Sequence, residues 1–190
     1  HIQRRFAMAN RSMVIDYDKL DTIYLDMDGV LASFDVAWCR WFGYEFIESD
    51  NWTFYERYGM DAKTFYDGLD KLPKQFWAQL PLEIGADKLF NWALRQGCEV
   101  KFLTHACTDA SCEGKKQWVA KHYPETEVIC VTEALQKIEL ANENTLLIDD
   151  KVETVEAFIE AGGNGRVWGK PYNFFRKYIL GHIYFDKELL

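Results

Sequence analysis

Nowhere does this chain stay apolar for the roughly 20 residues that a bilayer-spanning helix needs, so the sequence offers no membrane segment. Basic charge is also scarce, with 22 Lys and Arg against 30 Asp and Glu and a net charge of -8. Phosphate-backbone binding is built mainly from Lys and Arg, which argues against polymeric nucleic acid as a partner. A small phosphate ester held through a metal stays open. The five cysteines are an odd number without paired spacing. A chain of this size buries a core without covalent staples, and a reducing cytoplasm is the expected compartment. His105, Cys107 and Cys112 fall close together, but their spacing matches no zinc finger or ribbon. Repeats, low-complexity tracts and a signal-peptide apolar core are likewise missing. Residues 1–13 carry Arg4, Arg5 and Arg11 and no acid. An expression remnant, a processed targeting segment and a native arm are the three readings, with Met8 or Met13 as a natural start. Residues 1–19 are accordingly set apart from the fold.

What is present is a globular chain of 190 residues, 48% hydrophobic and 27% charged, enough for one core with a modest insertion. Residues 21–26 are a buried run suited to a parallel strand. From Leu31 to about Pro81 the pattern changes to short helical stretches crowded with aromatics and interrupted by Gly43, Gly59, Gly68 and Pro73. That interval far exceeds an ordinary strand-to-helix loop, and residues 32–81 are read as an inserted helical cap. Residues 20–31 and 82–190 form the core domain. Gly85 to Gln96 places Leu89, Trp92 and Ala93 on one helical face, with Gly97 as its stop. Strands follow at Glu99–Thr104, Glu127–Val131, Thr145–Asp149 and Arg166–Trp168. Helices fall at Ser111–His122, with Ser111 as N-cap, and at Val152–Ala161; Leu135–Leu140 is short and helical or irregular. Strand and helix alternate, which predicts an α/β fold with a doubly wound, Rossmann-like parallel sheet.

The chemistry concentrates just past the strands. Asp26 and Asp28 follow the first at a turn containing Gly29, Thr104 ends the second, and Asp149 and Asp150 end the fourth. In a parallel sheet those ends share the edge where open α/β sheets bind ligands. Lys137, shortly before the fourth strand, could add a cation there. A carboxylate attacks an anionic phosphate poorly unless a hard cation screens the repulsion, so the acids ask for Mg²⁺. Solvated acids at an ordinary turn, a strand-end hydroxyl and a surface lysine are the plain alternatives.

Asp26-Met27-Asp28-Gly29-Val30, with Thr104, Lys137 and Asp149-Asp150 in order, resembles the motif set of the haloacid dehalogenase superfamily of phosphohydrolases. Within it, Asp26 to Ala32 followed by Phe34, the string Phe76 to Leu82, Lys115 to Val119, and Leu146 to Lys151 are similar to the 5′(3′)-deoxyribonucleotidases over about residues 20–170. The resemblance implies that Asp26 is the nucleophile and Asp28 the acid and base. Thr104, Lys137 and Lys115 would bind phosphate, and Asp26, Asp28 through its carbonyl, Asp149 and Asp150 would hold Mg²⁺. His105 stands where the family has a second hydroxyl, and becomes a phosphate-binding candidate. Phe34 and Trp52 match residues that stack on the nucleobase. The implied activity is hydrolysis of nucleoside monophosphates, with 5′-deoxyribonucleotides the expected substrates. A phosphatase for sugar phosphates and a non-catalytic binding protein of the same fold are the alternatives.

Overall fold

The computed structural model describes residues 14–190, apart from the side chains of residues 175, 176, 178 and 179. Readings that concern residues 1–13 therefore fall outside the described residues. Five parallel strands form one sheet in the order β3-β2-β1-β4-β5, with β1 at Thr22–Leu25, β2 at Glu99–His105, β3 at Val128–Val131, β4 at Thr145–Asp149 and β5 at Asn164–Val167. The central strand reads Thr-Ile-Tyr-Leu and every residue of it is buried, as a strand covered on both faces requires. Leu25 stands opposite Phe102 on one side and Ile148 on the other. Continued by one residue, that register brings Asp26 beside Asp149, and the Asp26 amide donates to the Ile148 carbonyl at 2.9 Å. The α/β, Rossmann-like fold expected from strand and helix alternation is the fold observed.

Between β1 and β2 the chain builds α1 (Phe34–Phe42), a 3-10 turn (Phe54–Tyr58), α2 (Ala62–Leu69), α3 (Lys74–Ala78) and the crossover helix α4 (Ala86–Leu94). The stretch between β1 and α4 leaves and rejoins the sheet side by side. Ser33 N–H donates to the Pro81 carbonyl and Glu83 N–H to the Leu31 carbonyl, each at 2.8 Å. α4 buries Ala86, Leu89, Trp92 and Ala93, the face the spacing predicts. Within the segment 14–19, Ile15 is buried and Tyr17 packs edge-on against Trp92.

Helix α5 (Asp109–His122) starts two residues earlier than expected. Its N-cap is Thr108, whose Oγ1 accepts from Ser111 N while Ser111 Oγ accepts from Thr108 N, both at 3.1 Å. Ser111 is thus the third residue of a reciprocal capping box. β5 also begins two residues early, at Asn164, because α6 (Val152–Glu160) lies directly on it. A Cβ at Gly165 would stand 2.8 Å from Val155 Cγ1, so the glycine admits a strand the composition did not advertise. After β5 come a 3-10 turn (Pro171–Arg176), α7 (Lys177–Leu180) and two further 3-10 turns. No described helix is long and apolar enough to cross a membrane.

The cysteines depart from the sequence expectation. Cys112, in the first turn of α5, and Cys130, on β3, are joined as a disulfide, with Cα atoms 6.0 Å apart. Eighteen residues separate them, and only the packing of α5 beside β3 brings them together. The bond withdraws the ground on which cysteine usage pointed to a reducing cytoplasm. It also removes Cys112 from any zinc set with His105 and Cys107. Cys39, Cys98 and Cys107 are free.

Candidate active site

The chain turns sharply after β1. The Met27 carbonyl accepts from the amides of Val30, Leu31 and Ala32, and Gly29 adopts φ 78°. At that position a side chain is strained and a Cβ would collide with Asp150, so the turn presses the Asp26–Asp28 loop onto the end of β4. Asp26, Asp149 and Asp150 are all buried. One carboxylate oxygen from each lies within 4.8 Å of the others, which makes this the group able to hold a metal ion among the described residues. The Asp28 carboxylate stands apart from it.

Two lysines share three of the four acids, and Asp150 takes its side-chain hydrogen bond from Tyr172 instead. Lys137, from the 3-10 turn Ala134–Leu140, donates to Asp26 Oδ1 and to Asp149 Oδ2, both at 2.7 Å. Lys115, from α5, donates to Asp28 Oδ2 at 2.7 Å, Thr104 Oγ1 at 3.0 Å and the His105 carbonyl at 2.6 Å. Both lysines are buried. Gly114 lets α3 nest on α5, since a Cβ there would sit 2.5 Å from the Lys74 carbonyl and from Trp77 Cβ. Trp77 then caps Lys115, whose Nζ is 5.1 Å from the ring centroid.

Burial pushes the Asp26 carboxyl up to about 7, with Lys137 opposing and Asp149 and Asp28 adding to the rise. Asp150 is raised by burial and by the charges of Asp149 and Asp26, against the pull of Tyr172 and Lys170. Burial alone would lower Lys137, but Asp149 and Asp26 outweigh it and hold the ammonium firmly charged. Four carboxyl groups crowd against two buried lysines, and the raised carboxyls of Asp26 and Asp150 reflect that crowding. Asp28 Oδ1 is moreover buried without a hydrogen-bond partner. An all-oxygen donor set of convergent, crowded carboxyls fits a hard divalent cation.

The acids open onto one cavity of about 480 Å³ between sheet edge and insertion. Asp26, Asp28, Asp149, Asp150, Lys137, His105, Phe34 and Trp52 all line it. Thr104 and Lys115 do not; they stand behind Asp28 as its support. His105 Nε2 is 2.8 Å from the Thr132 carbonyl, so that nitrogen carries the proton, and burial lowers the affinity of the ring for a second one. Phe34 lines the cavity from within a packed cluster, stacked on Trp77 and edge-on to Phe54, Phe65 and Phe76. Trp52 is 47% exposed and meets Tyr172 edge-on at 5.4 Å, with Lys151 Nζ over its ring. Sequence reasoning did not find Tyr172. Its hydroxyl donates to Asp150 Oδ2, but it follows a short last strand in a segment with no periodicity and no motif to mark it.

No family model and no curated protein matches the chain in sequence. Among solved structures it is similar to a phosphonoacetaldehyde hydrolase-like protein from Oleispira antarctica, at 14% identity and a TM-score of 0.49 over 81% of this chain and 74% of that one. A hydrolase from Streptococcus pneumoniae TIGR4 gives 15% and 0.48, over 85% and 98% of the two chains. An aspartate-to-alanine mutant of a HAD family enzyme from Bacteroides thetaiotaomicron, in complex with magnesium and inorganic phosphate, gives 16% and 0.46, over 80% and 95%. Similarity this distant assigns neither substrate nor residue roles.

Proposed function

We propose that the chain is a Mg²⁺-dependent phosphomonoester hydrolase of the haloacid dehalogenase type, acting on nucleoside monophosphates through an aspartyl-phosphate. The observation that carries this reading is the buried group Asp26, Lys137, Asp149 and Asp150, its carboxyl oxygens convergent and open to the cavity. Asp26, Asp149 and Asp150 would hold the cation. When bound, it supplies the charge that lets a carboxylate approach a phosphate and stabilises the charge developing in transfer.

A carboxylate oxygen of Asp26 attacks phosphorus, and the ester P–O bond breaks as the new P–O bond forms. Lys137 holds Asp26 in place through Oδ1. Asp28 gives a proton to the departing alkoxide, then takes one from the water that hydrolyses the aspartyl-phosphate, which returns both carboxyls to their starting state. Lys115 fixes Asp28 through Oδ2, and Thr104 and the His105 carbonyl fix Lys115. His105 also lines the cavity, but its ring proton is committed to the Thr132 carbonyl, so the neutral imidazole has no N–H left for a phosphate oxygen.

A nucleotide substrate is favoured by the aromatic side of the cavity, where Phe34, Trp52, Phe54, Tyr66 and Trp77 face the acids. A sugar phosphate would leave these rings unused. Hydrolysis of p-nitrophenyl phosphate with and without Mg²⁺ tests the chemistry. Asp26→Asn is expected to abolish turnover and keep the parent melting curve, because it removes the nucleophile but little volume. Substantial activity in that variant would falsify the covalent route. A panel of nucleoside monophosphates beside sugar phosphates tests the substrate, and preference for the sugars would replace the nucleotide by the alternative.

A further inference from the structure

The structure assigns Tyr172 the role of positioning residue for Asp150, an inference that rests on reading Asp26, Asp149 and Asp150 as a cation site. Asp150 is buried beside two like charges. Without a donor its carboxylate would gain by turning away from Asp26 and Asp149, and the oxygens would no longer converge. Tyr172 supplies that donor, its O–H reaching Asp150 Oδ2.

The tyrosine is itself held from behind. Asn173, next in sequence and buried, donates through Nδ2 to the Asp150 carbonyl at 2.8 Å and to the Trp168 carbonyl at 3.0 Å. Its Oδ1 accepts from Lys170 N–H at 2.9 Å, and its carbonyl from the Tyr184 hydroxyl at 2.6 Å. Both hydrogen-bonding ends of the side chain are therefore engaged, and the segment has no slack through which Tyr172 could retreat. On the facing side, a Cβ at Gly29 would come 2.8 Å from the Tyr172 hydroxyl. The loop bearing Asp26 and Asp28 is thus shaped around this pair. The Tyr172 ring also meets Trp52 of the helical insertion, so one residue touches both the acid group and the far wall of the cavity.

Groups that orient a metal-ligating carboxylate typically contribute about 10- to 100-fold in metal affinity. Tyr172→Phe deletes the hydroxyl and keeps the ring against Trp52. Calorimetric titration of the metal-free protein with MgCl₂ is expected to show binding weakened by about that factor, with KM for a nucleoside monophosphate unchanged at saturating Mg²⁺. Trp52→Ala, which removes the ring contact and leaves the hydroxyl in place, is expected to bind Mg²⁺ like the parent. Equal Mg²⁺ affinity in the parent and Tyr172→Phe overturns the inference, as does an equal weakening in Trp52→Ala. Should Tyr172→Phe fail to fold, Tyr172→His, which keeps a ring N–H donor, carries the same comparison: weakening as severe as that in Asp150→Asn overturns the assignment, and a smaller loss supports it. A parent protein that takes up no Mg²⁺ at all would instead overturn the proposed function.

Discussion

At the scale of single residues, the roles of the two aromatics expected to contact a base separate. Phe34 contributes to the cavity and to the packing of the insertion at once, since four rings surround it. Replacing it by alanine would cost about 3 kcal/mol of stability and confound any kinetic result. Trp52 is half-exposed and held only lightly among the described residues, by the edge of Tyr172 and by Lys151 over its ring, which makes it the cleaner probe. One ring stacked on a base is worth about 1 to 3 kcal/mol, or about one to two powers of ten in specificity. Trp52→Ala is therefore expected to lower kcat/KM for a nucleoside monophosphate by about that factor, and to leave a simple sugar phosphate and the melting temperature unchanged. Equal losses on the two substrates would return Trp52 to a packing role.

Individual elements carry their own tests. Helix α2 begins at Asp61, whose Oδ1 accepts from Thr64 N–H at 2.7 Å. That bond to the backbone amide holds the carboxyl below its usual range. A depressed folded-state value means that the cap contributes fully above the unfolded pKa and is lost as pH falls through the folded one. Asn caps as well as Asp but does not titrate. The gap in melting temperature between the parent and Asp61→Asn is expected to shift against the parent between about pH 5 and about pH 3; a gap that stays constant across that window would remove the charge from the account. At the edge strand β3, the Cys112–Cys130 bond closes a loop of 18 residues, worth about 3 kcal/mol in chain entropy. Alkylation of the unreduced, denatured protein should label three of the five cysteines, Cys39, Cys98 and Cys107. Reduction should lower the urea midpoint accordingly. Five labelled cysteines would dissolve the pairing.

Across the whole molecule, three distant stretches of chain meet at Glu83. Its Oε2 accepts from Ser33 Oγ, where the chain leaves the core, and pairs with Lys170 Nζ from beyond β5, both at 2.9 Å. The side chains of Glu83 and Lys170 are 12% and 14% exposed, so the pair is mostly desolvated. Removing one partner of such a pair leaves an uncompensated charge and costs about 3 kcal/mol. Glu83→Ala is expected to lose about that much in urea unfolding, while Glu83→Gln, which still accepts from Ser33, should lose less. Equal stability in Glu83→Ala and the parent would mean that the junction is held by its two backbone hydrogen bonds alone.

The sequence by itself determined the sheet and the set of acids. A parallel strand covered on both faces must be continuously apolar, so Thr22–Leu25 and Thr145–Ile148 announce themselves, and carboxylates directly after such runs must lie at one sheet edge. Lys137 is legible only through its place in the motif order, since it precedes β4 and no apolar run sets it at that edge. Short-range signals fared less well where two neighbouring residues suit the same position. Thr108 and Ser111 can each cap a helix, and only the reciprocal hydrogen bonds decide between them. What the tertiary structure decided is which groups share a charge. Lys137 bridges Asp26 and Asp149 over 111 and 12 residues of chain, and Lys115 reaches Asp28 over 87. The Cys112–Cys130 bond and the Tyr172 hydroxyl on Asp150 belong to the same kind. Each depends on how helices and loops pack around the sheet, and burial then makes every such pairing matter. No periodicity or local spacing records a contact between side chains that distance in sequence keeps apart until the core has formed.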